Sequence, residues 1–204
     1  MPSRIQTLPL THPRREEVES AFGFGPFETV EHVGGGGGGR CYWNVADRVA
    51  NVGGTAVLGW KIQYWPGLFV VAVHHAIWLN PNTNRLVDIT EKLASDRSPD
   101  ITFVADTTLD VGDLSRAPLI ADKYHRFVDQ PEVDDLIASE ASFIEHQQEL
   151  AERLFAAGAT WRPVGGYTLA DAKIPHFRAG FDRTQELSLR VQRAAERCDS
   201  TFPQ

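Results

Sequence analysis

The sequence predicts an α+β protein, and three observations carry that expectation. Residues Cys41 to Val52 place Tyr42, Val45, Ala46 and Val49 at i, i+3, i+4 and i+7, the stripe of a helix buried on one side. Four β-like runs follow it, separated by turn signals, as in an antiparallel meander. After about residue 131 the pattern changes to long helical stretches.

Residues 1–10 read as a loose arm. Thr11 to Phe22 reads as a short helix, with Thr11 as its cap, Pro13 in its first turn, and Glu16 and Glu17 at its positive end. Residues 23–39 are rich in glycine and read as irregular. By composition Gly34 to Gly39 is a flexible linker; a loop that lets a substrate backbone come close is the other reading. The helix from Cys41 stops at Gly53-Gly54. Strands are expected at Ala56 to Trp65, Leu68 to Leu79, Arg85 to Thr90 and Asp100 to Ala105, with turns at Pro66-Gly67 and Pro81 to Asn84. Residues 106–131 carry no clear pattern. Glu132 to Ala157 reads as a long helix with Phe143, Ile144, Leu150, Ala151, Leu154 and Phe155 near one face, and Thr184 to Cys198 as another. The expected organisation is a core over 1–131, with its glycine-rich loop at 34–39, and a helical C-terminal extension over 132–204 packed on the same domain.

Composition narrows the function classes. The chain has 204 residues, a formal charge of −7 and five tryptophans. It can bury a sizeable core, and its acidic balance argues against a general nucleic-acid binder, which needs a basic face. Two cysteines in unlike contexts, Cys41 and Cys198, do not make a disulfide framework and fit a reducing compartment. No apolar core of a signal peptide stands near Met1, and the run Leu68 to Val73 is too short to span a bilayer. The expectation is a soluble, cytoplasmic protein with no membrane partner, no nucleic-acid partner and no cofactor.

Chemistry concentrates on three residues. Cys41 opens a helix after a run of six glycines and Arg40. A thiolate is favoured by the positive helix end and a nearby cation, although free cysteine is most often just a small buried apolar residue. His74 and His75 lie in the run LFVVAVHHAIWL and, on a strand, point to opposite faces. A two- or four-residue turn centred between Asn82 and Thr83 sets Asp88 opposite Ile77 and puts His75 on its face; an odd turn selects His74. His75 is therefore the expected base. Asp88 stands between Val87 and Ile89, where a carboxylate is costly unless paired. It either holds the imidazole or bonds nearby backbone around Thr90. Gly39, Asn44 and Trp78 are candidate substrate contacts, with Gln63 and Tyr64 as weaker ones. The Cys41 backbone N–H is a candidate oxyanion donor.

These pieces resemble the transglutaminase-like branch of the papain-like superfamily. The resemblance rests on Gly39-Arg40-Cys41, Gly53-Gly54, Leu58-Gly59-Trp60, His75-Ala76-Ile77-Trp78 and Asp88-Ile89-Thr90, and covers roughly residues 34–90. It implies a cysteine-led helix packed on an antiparallel sheet, with nucleophile Cys41, base His75 and orienting Asp88. The implied activity is acyl transfer on an amide bond of a peptide, protein or small molecule, ending in hydrolysis, deamidation or crosslinking. Two other readings stand beside it: a non-catalytic interaction module on the same fold, and a zinc site built from Cys41, His75 and Asp88, for which no CxxC or HxxxH pair is present.

Overall fold

The computed structural model describes residues 4–202, which fall into two compact units. One comprises residues 4–110 with Asp122–Val128; the other comprises Val111–Ala121 with residues 129–202.

The first unit is a mixed α+β body. In chain order it contains β1 (Gln6–Thr7), α1 (Arg15–Phe22), β2 (Glu28–Gly36), α2 (Cys41–Val52), β3 (Thr55–Trp65), β4 (Phe69–Asn80), β5 (Arg85–Thr90), β6 (Asp100–Ala105) and β7 (Lys123–Arg126). The strands form one sheet in the order β1-β3-β6-β2-β5-β4-β7, and a further β3–β4 pairing closes the five inner strands into a barrel. All pairings are antiparallel except β2–β5, which is parallel.

Pair register fixes what faces inward. Val30, Ile77, Ile101 and Phe103 form one buried cluster with Val57 and Leu86 packed on it. Lys61 is the partner of Val73 and Phe103, and Gly59 the partner of His75, so these positions share that inward parity. Gly59 has no room for a side chain. A Cβ there would stand 2.1 Å from the Val104 carbonyl oxygen, 2.5 Å from Phe103 Cζ and 2.9 Å from Ala105 Cα. Gly59→Ala should therefore cost about 3 kcal/mol through overpacking, read as a lowered urea midpoint; an unchanged midpoint would contradict this close approach.

The glycine-rich segment corrects the expectation of an irregular linker. Glu28–Gly36 is a strand that joins β5 to β6 and so completes the barrel. Its register breaks between His32 and Gly36, where Gly34 and Gly35 have φ of +64° and +94°. Only glycine adopts such backbone cheaply, so the run bends a strand without ending it. The loose arm also contributes β1, paired with β3. The first helix starts at Arg15 rather than Thr11, since His12 turns back to Pro9 and stacks on Phe127 at 5.4 Å. β7 lies in the stretch that carries no sequence pattern and pairs with β4.

The second unit holds α3 (Pro131–Ala156), the hairpin β8 (Thr160–Arg162) and β9 (Gly166–Thr168), and α4 (Ile174–Thr201). Leu150, Leu154, Ala159 and Phe177 form its buried cluster. α4 begins ten residues earlier than Thr184, with a proline in its first turn, where the sequence IPHFRAGFDR has too few apolar residues to declare a helix. Segment Val111–Ala121 belongs to this helical unit, so the division is not a single cut near residue 131. No helix among the described residues is long and apolar enough to cross a membrane.

Candidate active site

α2 begins at Cys41, directly after the glycine turn that lies beside the end of β5. The helix is fastened to β4 at two points. Tyr42 stacks on His74 and shares a 2.8 Å hydrogen bond with its Nδ1. At the far end Trp78 Nε1 donates to the Gly53 carbonyl at 2.9 Å, and Arg48 lies over the indole ring. His74 and Trp78 share one face of β4, and His75 is left to the other.

The β4–β5 turn fixes which histidine meets Asp88. Trp78 pairs with Val87, Leu79 with Leu86 and Asn80 with Arg85, around a loop of four residues. Asn84 takes φ of 53° there, and its N–H bonds the Asn80 carbonyl at 2.8 Å. This register puts Asp88 one diagonal step from His75 on the inward face. His75 Nε2 donates to Asp88 Oδ1 at 3.1 Å, and Cys41 lies close enough to the same imidazole to raise it electrostatically. Since Nε2 is spent on Asp88, Nδ1 is the nitrogen left for the thiol.

Asp88 Oδ1 has a second partner, the Thr90 N–H at 3.0 Å. The two roles weighed for this carboxylate, holding an imidazole and bonding backbone near Thr90, are both present on one oxygen. Thr90 is a hub. Its hydroxyl accepts from Asn44 Nδ2 at 3.0 Å, and its carbonyl accepts from His32 Nε2 at 2.9 Å. Asn44 Nδ2 also bonds the Gly37 carbonyl at 2.9 Å, which ties the glycine turn to the end of β5.

Cys41, His75 and Asp88 therefore come together, in series. Cys41 is 8 % exposed, His75 is buried and Asp88 is fully buried. Gly39 lies exposed in the turn before Cys41. Asn44 serves the turn and Thr90, and Trp78 serves the opposite end of α2. Gln63 is buried and Tyr64 half-buried on β3. Among the described residues no group of three or more His, Cys, Asp or Glu side chains is arranged to hold a metal ion.

The electrostatics separate the two histidines. Burial alone pulls the His75 imidazole down, but the Asp88 hydrogen bond and the influence of Asp88 and Cys41 outweigh it and raise it to about 9. Burial pushes Asp88 up, yet the His75 bond and charge, the Thr90 N–H and the Lys61 charge bring it below the usual carboxylate range. His74 is lowered to about 4, first by burial and then by the charge of His75, so it is neutral near pH 7. Behind it, burial raises Asp122 to about 7 against a hydrogen bond from the His74 backbone. Burial also raises the Tyr42 phenol. His74, Tyr42 and Asp122 thus form a polar cluster whose neutral forms are favoured, beside a His75–Asp88 pair whose charged forms are favoured.

Three contributors were not singled out from sequence. Thr90 and His32 act through their positions on paired strands. Lys61, 7 % exposed, lies on the inward face of β3. A lone lysine at an inward parity position in VLGWKIQYW was the available signal for it. No family model, curated protein or solved structure matches this chain.

Proposed function

We propose that the protein is a thiol enzyme that transfers the acyl group of an amide through a thioester on Cys41, in the manner of papain-like and transglutaminase-like enzymes. The observation that carries this is the buried His75–Asp88 hydrogen bond with Cys41, the first residue of a helix, acting electrostatically on the same imidazole.

His75 Nδ1 takes the Cys41 proton, and the sulfur adds to the amide carbonyl carbon. The carbonyl electron pair moves to oxygen, where the N–H groups of the first turn of α2 meet the oxyanion. The imidazolium returns its proton to the amide nitrogen, the C–N bond breaks, and ammonia or an amine leaves. Water or a second amine then adds to the thioester, gives its proton to His75, and the C–S bond breaks. An imidazole that keeps its proton up to about 9 is well matched to the donor half of this cycle.

The test is alkylation by iodoacetamide at pH 7. With Cys198 replaced by serine, Cys41 should react at least about tenfold faster than it does in the same protein carrying His75→Ala. Cys198 should be inert in the native chain. It is fully buried, its Sγ donates to the Glu132 carbonyl at 3.3 Å, and burial first, then Glu132, raises it to about 11. Equal rates with and without His75 would remove the base from the proposal and favour a non-catalytic interaction module.

A further inference from the structure

Asp88 uses only half of its carboxylate. Oδ1 accepts from His75 and from Thr90, whereas Oδ2 is buried and has no hydrogen-bond partner. A half-satisfied carboxylate at full burial is costly unless an opposite charge lies in the same interior. Lys61 is that charge. It is 7 % exposed, and its pairing with Val73 and Phe103 gives it the inward parity of Gly59, His75 and Asp88.

The charges that act on Lys61 are those of Asp88, Asp96 and Cys41, which favour its ammonium, and Lys92, which opposes it. Asp96 is committed elsewhere: Oδ2 accepts from the Thr7 hydroxyl at 2.8 Å and Oδ1 from the Ser98 N–H at 3.2 Å. Lys92 Nζ donates to the Ser98 carbonyl. Of the two carboxylates, Asp88 alone keeps an oxygen without a hydrogen bond.

We propose that Lys61 is a positioning residue for the triad: its buried ammonium is the counter-charge to Asp88 Oδ2 and keeps that carboxylate ionised behind His75. The role rests on the thiol-enzyme reading above. Lys61 touches neither the thiol nor the substrate in this assignment. It acts through Asp88, which sets the imidazole tautomer that leaves Nδ1 toward Cys41. Burial lowers the lysine itself, and the Asp88 charge works against that shift.

The experiment follows the Asp88 carboxyl carbon by NMR across pH in the full chain and in Lys61→Met, which keeps the apolar stem and removes the charge. The Asp88 midpoint should rise by about one pH unit, and the acidic limb of the Cys41 alkylation profile should move up in pH with it. A purely packing role for Lys61 would leave the midpoint where it is, and that result overturns the proposal. Should Lys61→Met fail to fold, Asp88→Asn reads the pair from the other side. The Lys61 titration should then fall by about one pH unit, and an unmoved one overturns the proposal equally. Neither titration needs substrate. A shifted Asp88 midpoint with an unreactive Cys41 sinks the enzyme reading and leaves the charge coupling of Lys61 to Asp88. An unshifted midpoint with a reactive Cys41 does the reverse.

Discussion

Cys41→Ala should form no acyl-enzyme with p-nitrophenyl acetate, while the native chain and Cys198→Ser should release p-nitrophenolate in a burst followed by slower turnover. An activated ester is chosen because it tests thioester formation without the natural amide. The loss in rate should be about 10³-fold or more, since no second nucleophile stands at the same place. His75→Ala should lose about 10²- to 10⁴-fold, the range for a positioned acid–base group. The double variant should be no worse than Cys41→Ala, because residues that act as a unit do not add. The fold should survive the Cys41 change, as the cysteine contributes one small side chain at a helix start while Tyr42 and Trp78 hold α2 to β4. A burst of undiminished size in Cys41→Ala would place the chemistry elsewhere.

Much of this constellation is legible in the sequence, for identifiable reasons. α2 is bounded by a cysteine after glycines and by Gly53, with apolar spacing between, and it spans Cys41–Val52 as expected. The choice of His75 followed from turn length, and the four-residue loop between β4 and β5 supplies the parity that selects it. What was hidden depends on contacts distant in sequence. Within β2 only Val30 presents a buried apolar side chain, and its glycines resemble a linker. That this strand closes a barrel through a parallel pairing with β5 is a tertiary fact that no local pattern contains. β7 has four residues, Lys-Tyr-His-Arg, with no apolar run at all. Lys61 reads as a surface charge until the register turns it inward, and Asn44 reads as a pocket residue until Gly37 and Thr90 are found at its amide.

Asp88→Ala separates the triad's contribution to stability from its contribution to chemistry, because the loss should depend on pH in a defined way. The native His75 is raised above its unfolded value of 6.5 to about 9. Its share of stability is therefore fully present below pH 6.5 and disappears as pH climbs through about 9. Asp88 is lowered, so its share is present above its unfolded value of 3.8 and is lost as pH falls through its folded value. Both shares are in place together between about pH 4 and 6.5. There the alanine variant should be about 3 kcal/mol less stable, the range for breaking a buried pair, since it leaves His75 Nε2 without its acceptor. With Asp88 gone, burial dominates the imidazole and lowers it, so the variant escapes the alkaline loss that the native chain suffers. The gap between the two should narrow steadily from pH 6.5 to 9.5. His74, lowered to about 4, weakens the native fold as pH falls below 6.5. Burial is its main cause and is common to both proteins, so it largely cancels in the difference. Urea unfolding at pH 5.5, 7.5 and 9.5 reads the gap directly. A gap of constant size would show that Asp88 stabilises through its hydrogen bond to Thr90 rather than through the imidazole, and acyl transfer would then have to survive the substitution.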